Sequence, residues 1–212
     1  MKPRSPEERY GPALDKAKAE LKERDPFVMA GWAGVPYQAG GAGSGQFSVR
    51  FWDKIYRVSY PSGEVLDENG VRPPIPYQLI LLHYLLTATG VPMADRWASF
   101  REFPGGLGYE AAFQARANRR LAAAFGDALE AFRKAAFALG GIPLTVGDAA
   151  FAFDILPRLR VAVVIYRGDE EFAASANLIF DAAADKYLPT EDLAVLGDII
   201  ASRLTKSKPT EE

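Results

Sequence analysis

The segment from Asp148 to Leu204 constrains the fold more than any other part of the chain. Ala149 to Leu156 alternates Phe151, Phe153 and Ile155, as a strand does. Pro157-Arg158 allows a tight reversal, and Leu159 to Tyr166 is apolar on both faces, the mark of a central strand. The acidic loop Arg167 to Glu171 follows. Phe172 to Phe180 then reads as a third strand or as a helix, because Ala174-Ser175-Ala176 favours neither strongly. The end is helical. Thr190 is the expected N-cap, Glu191 and Asp192 suit the positive end of the dipole, and Leu193, Leu196, Ile199, Ile200 and Leu204 form one apolar stripe.

Upstream, Ser5 is the expected N-cap of a helix to Arg24, with Pro6 at its first turn, Pro12 as a place where it restarts, and Asp25-Pro26 as its end. Gly31 to Gly45 is a Gly-rich connection. It lacks phosphate-loop spacing and precedes a strand, so it reads as a flexible loop. With Asp53-Lys54 as a two-residue turn, Phe51 faces Tyr56, Val49 faces Val58 and Phe47 faces Tyr60, while Ser48, Arg50, Arg57 and Ser59 share the other face. Tyr77 to Thr89 is a helix whose Leu79, Ile80, Leu81, Leu82, Leu85 and Leu86 cover most of its circumference, which marks it as buried. Ala94 to Gly108 holds a short helix or strand and a Pro-Gly-Gly turn. A long helix then runs from Tyr109 to Leu139, with Gly126 as a point of kinking.

Both β regions are too small to stand alone. The expected class is therefore α+β: a single domain with one shared antiparallel-rich sheet packed against several helices. An N-terminal helix and Gly-rich connection occupy 1–46, the α+β core 47–205, and a disordered tail 206–212. There is no Cys, which excludes disulfides, thiolate zinc sites, Cys-ligated clusters and a Cys nucleophile within the chain. The net charge is −2 with no basic run, which argues against a nucleic-acid partner. No apolar run is long enough to span a membrane and no signal-like stretch opens the chain, so a soluble cytoplasmic protein is expected.

Three groups of residues could carry chemistry. Arg50 and Arg57, placed opposite each other, call for a carboxylate or an anionic ligand between them. Trp97, Arg101 and Glu102, in the run before Pro104-Gly105-Gly106, have the composition of a surface for an anionic or planar ligand, or of a packed corner with an Arg101–Glu102 pair. Asp169, Glu170 and Glu171, joined by Asp181 or Asp185, could hold a hard divalent cation, although acidic hairpin loops are usually only solvated. His83 is the only histidine. It reads first as a satisfied core residue, then as an acid–base group or an axial ligand to a tetrapyrrole.

The strings LILLHYLL, WASFREFPGG, GDAAF at Gly147–Phe151, GDEEF, ANLIFD and YLPTEDLAVLG resemble a prokaryotic domain-of-unknown-function family, number three-seven-eight-six, found largely in anaerobes. The resemblance runs from about Phe47 to Leu204. In some members of that family the domain follows a Cys-rich iron–sulfur segment like those of corrinoid iron–sulfur proteins. This chain has no Cys, so any such electron transfer would need a redox-protein partner. The family supplies no catalytic residues. The resemblance implies a non-enzymatic small-ligand-binding or accessory protein of anaerobic metabolism, related to corrinoids or other tetrapyrroles. The alternatives are a Mg²⁺- or Mn²⁺-dependent enzyme using the acidic loop, and a protein-interaction module.

Overall fold

A computed structural model describes residues 6–209. The N-cap expected at Ser5 lies outside the described residues. The chain forms two compact units, the first made of residues up to Pro92 with Ile155–Arg158 and Lys186–Pro189, the second of the remainder.

Unit 1 begins with α1 (Pro6–Leu21), which runs through Pro12 without restarting. Asp25-Pro26 does not simply end a helix; it starts a second one, α2 (Pro26–Ala33). The Asp25 carboxylate accepts from the Phe27 and Val28 amides at 2.8 and 3.1 Å, and Pro26 fits the first turn because it has no amide to leave unpaired. Gly34 closes α2 at φ 67°, a conformation that costs glycine little. Four antiparallel strands follow in sequential order: β1 (Tyr37–Ala39), β2 (Gly45–Phe51), β3 (Lys54–Tyr60) and β4 (Val65–Asp67). α3 (Ile75–Thr87) then packs against α1, with Gln78 to Leu82, Tyr84 and Leu85 buried as its all-round apolar pattern requires.

The β2–β3 hairpin keeps the expected faces in a different register. Phe47, Val49, Phe51, Tyr56 and Val58 are all buried, but Phe51 pairs with Lys54, Val49 with Tyr56 and Phe47 with Val58. The turn is Trp52-Asp53, not Asp53-Lys54. A slip of two residues preserves which side chains face inward, so hydrophobic alternation cannot detect it. What selects it is tertiary. Trp52 is buried at a positive φ of 59°, and its amide donates to the Ile155 carbonyl at 2.7 Å.

Unit 2 holds a second sheet in the order β5-β9-β8-β7-β6, from β5 (Trp97–Ser99), β6 (Ile142–Leu144), β7 (Ala149–Leu156), β8 (Leu159–Tyr166) and β9 (Ser175–Asp181). The last two residues of β7 belong to unit 1. β9 settles the open choice at 172–180 in favour of a strand, starting at Ser175. The α+β class and antiparallel pairing stand, but the single shared sheet does not. β1 and β4 complete the first hairpin locally, while β9, β5 and β6 complete the second.

The long helix expected over Tyr109–Leu139 is three helices: α4 (Gly106–Phe113), α5 (Arg119–Phe125) and α6 (Leu129–Ala138). A π-turn, Gln114–Asn118, joins the first two. The second break falls at Gly126, the residue singled out by composition. α7 (Thr190–Lys206) closes the chain against α4 and α5. Its Gly197 leaves room for the Phe113 ring, whose nearest atom lies 2.5 Å from where a Cβ would stand. The Thr190 hydroxyl, expected as a cap, donates to the Pro104 carbonyl at 2.8 Å.

Candidate functional site

Two helix faces of unit 1 enclose the candidate site. On α1, Ala13, Lys16, Ala17 and Glu20 recur at three- and four-residue steps and so share one face. On α3, His83, Leu86 and Thr87 do the same. With Pro189 they line a cavity of about 300 Å³. The space exists because Ala13 and Ala17 are small where α1 passes α3; bulkier residues would fill it. This volume sits at the low end of cavities that hold small molecules, roughly 300–1,000 Å³.

The chemistry of the wall is mixed. Ala13, Ala17, Leu86 and Pro189 are apolar. The Thr87 hydroxyl lies 2.7 Å from both the His83 and the Tyr187 carbonyls, so it is committed to the backbone. Glu20 is held by Arg24 at 3.0 Å. Lys16 is exposed and forms no ion pair with a described residue. His83 is half-buried, although its helix neighbours Leu81 and Leu82 are fully covered. The chain's only histidine is thus a wall residue, not a core one.

The residues expected from sequence are distributed otherwise. Arg50 lies opposite Ile55 and Arg57 opposite Ser48, so the two arginines do not face each other. The register slip moves them to a diagonal, so the close pairing of two like charges that called for an anion does not arise, although the Arg57 Nε is buried without a partner among the described residues. Arg57 donates to the Asp67 carbonyl at 3.2 Å, and Arg50 is exposed. Both belong to unit 1, whereas Trp97, Arg101 and Glu102 belong to unit 2.

At that corner Glu102 turns back on Ser99, accepting its amide at 2.6 Å and its hydroxyl at 2.8 Å. Those two donors hold the Glu102 carboxyl below the usual range, ahead of any contribution from Arg96 or Arg101. This capping box fixes the 3₁₀ turn Phe100–Glu102. Trp97 is half-buried on β5 and Arg101 is exposed.

The four carboxylates proposed for a metal do not converge. Asp169, Glu170 and Glu171 precede β9 and Asp181 ends it, so seven residues of strand, about 20 Å, lie between them. Asp169 caps its own loop, accepting from the Glu171 and Phe172 amides at 2.9 and 2.7 Å. Asp181 is buried and accepts from the amides of Ala94, Asp95 and Ala183, each at 2.9 Å. Among the described residues no group of three or more His, Asp or Glu side chains is arranged to hold a metal ion.

Unit 2 carries one polar feature that sequence reasoning missed. Gln114 donates to Glu110 at 2.7 Å, Asn118 donates to Gln114 at 3.0 Å, and Asn118 accepts the Leu178 amide at 2.9 Å. The π-turn adds the residue that brings Asn118 to the strand. β5 pairs with β9 only over Ile179–Asp181, so Asn118 covers the first amide beyond it. A shallow groove of about 110 Å³ lies beside this ladder, lined by Arg119, Ala122 and Ala174–Ala176 among others.

The described residues therefore form an α+β protein with a helix-walled cavity in one unit and, in the other, a polar ladder from Glu110 to the Leu178 amide in which the second Glu110 carboxylate oxygen is buried without a partner. The chain belongs to the family described as Domain of unknown function (DUF3786), whose model matches residues 25–203. No curated protein and no solved structure matches it.

Proposed function

We propose that the protein is a binding module for a small organic molecule, held between α1 and α3 in the cavity walled by His83. The observation that supports this is the placement of the chain's one histidine beside Lys16 and Glu20 on the wall of a cavity of about 300 Å³. A mostly apolar surface with a few convergent polar groups is the usual make-up of a ligand site. The absence of a converging carboxylate set at the acidic loop favours this reading over a metal-dependent enzyme. On this reading the ligand lies against the α1–α3 wall and not at the Arg101 corner, where Glu102 serves the backbone.

The single histidine makes the test direct. In protein labelled only at histidine, the imidazole gives one set of NMR signals. Titration with a panel of small acids, amines and alcohols should move that set for at least one class and raise the melting temperature with it. Cobalamin and haem belong in the panel, because an imidazole on a cavity wall is also what an axial ligand requires. A visible spectral shift with either would favour the tetrapyrrole reading over a smaller ligand. No movement of the His83 signals with any compound would remove the cavity as a binding site.

A further inference from the structure

We infer that the ligand of the His83 cavity is a small organic monoanion: a carboxylate with an apolar body and no second charge. This rests on the binding reading above and goes on to the chemistry of the molecule bound. The charge balance of the wall carries it. Arg24 already neutralises Glu20 across 3.0 Å, one helical turn away. Lys16, a turn before Glu20 on the same face, forms no ion pair with a described residue. The rim is therefore positive by one lysine, and a single carboxylate matches it.

The remaining wall sets the rest of the molecule. Ala13, Ala17, Leu86 and Pro189 offer no hydrogen bonds from their side chains, and the one Thr87 hydroxyl hydrogen is taken by backbone carbonyls, so beyond Lys16 and Glu20 the polar part of the wall is His83 and the Thr87 oxygen. A ligand polar along its length would lose water there without compensation. An apolar body gains by covering those side chains. A second negative charge would find no other lysine or arginine among the described residues of the wall, and a free ammonium would meet Lys16. Inorganic phosphate, with no apolar part, has nothing to place against the alanines.

The test uses the full chain and matched probes: butyrate and benzoate, their uncharged amides butyramide and benzamide, and inorganic phosphate. Binding is read from the His83 imidazole signals. The acids should bind more tightly than their amides, and added salt should weaken only the acids. Lys16→Gln should weaken the acids by roughly three- to fivefold, as expected of one ion pair at an exposed rim, and leave the amides unchanged. Lys16→Arg should restore most of the loss. Equal binding of acid and amide overturns the monoanion but leaves the cavity as a site. Phosphate binding as tight as benzoate overturns the apolar body. Silence from every one of these probes overturns the monoanion, while the binding reading beneath it falls only if the amines, alcohols and tetrapyrroles are silent too.

Discussion

Asn118→Leu removes one side-chain amide from the π-turn and keeps nearly the same volume. In the native fold Asn118 is 5% exposed and its carbonyl accepts the Leu178 amide at 2.9 Å. Leu178 is itself buried in β9, one residue past the reach of β5. After the substitution that N–H faces a methyl group, and orphaning a buried donor costs about 1–3 kcal/mol. Gln114 also loses its donor, but it is half-exposed and can turn to water, so its share is small. The net loss should be about 2 kcal/mol, which for a chain of this size lowers the melting temperature by roughly 4–8 °C. Calorimetry should show the fall in the unfolding transition. Hydrogen exchange should show the Leu178 amide losing protection ahead of its neighbours. Asn118→Asp keeps the acceptor for Leu178, so that amide should stay protected even though a buried carboxylate beside Gln114 and Glu110 lowers the melting temperature on its own account. A melting temperature unchanged to within about 1 °C, with Leu178 still protected, would show that the ladder does not complete the sheet edge.

Two further outcomes depend on pH. Burial pushes the Tyr84 hydroxyl far above its usual value near 10, and the group donates to the Ala33 carbonyl and accepts the Arg158 amide. The raised value means that this contribution to stability is complete below the unfolded tyrosine value and is lost as pH climbs from there toward the folded one. Tyr84→Phe should destabilise by about 1–3 kcal/mol at neutral pH and flatten the alkaline limb of the stability curve, measured by denaturant melts at stepped pH. Glu102 has the opposite sign. Its carboxyl is lowered by the Ser99 donors, so its contribution is present above the unfolded glutamate value and lost as pH falls through the folded one. Glu102→Gln should flatten the acid limb and leave the alkaline limb alone.

Periodicity located β7 and β8 to the residue because each is long, apolar and bounded by a tight Pro157-Arg158 reversal. The apolar wrapping of α3 marked it as buried for the same reason: the signal lies in the segment itself. The hairpin register was not legible, because registers two residues apart sort the side chains identically. The Trp52–Ile155 hydrogen bond goes with the observed register, and it joins residues distant in sequence. The Arg50–Arg57 pairing failed with the register. The α1–α3 cavity failed on the same ground. Ala13, Lys16, Ala17 and Glu20 are a recognisable face, and so are His83 and Thr87, but nothing local says that these two faces meet. Composition marked the Trp97–Glu102 corner because arginine and aromatic residues are common at binding surfaces. It could not show that Glu102 is occupied with the Ser99 backbone.

Gly126 shows where local and tertiary reasoning give opposite signs. On propensity alone, glycine in a helical run costs about 1 kcal/mol against alanine, so Gly126→Ala should stabilise. The backbone raises no objection, since φ is −54°. The neighbours do. A Cβ at this position would stand 2.2 Å from the Ala174 Cβ, an atom attached directly to the backbone before β9. No rotamer relieves that contact, so either the end of α5 or the chain leading into β9 must move. Overpacking of this kind costs about 1–3 kcal/mol, which exceeds the propensity gain. Gly126→Ala should therefore lower the melting temperature, and Gly126→Ala with Ala174→Gly should recover part of the loss, because the Ala122 carbonyl oxygen also lies 2.8 Å from that Cβ position. Stabilisation by the single substitution would mean that α5 and the entry to β9 are not in contact, and the break between α5 and α6 would then need another cause.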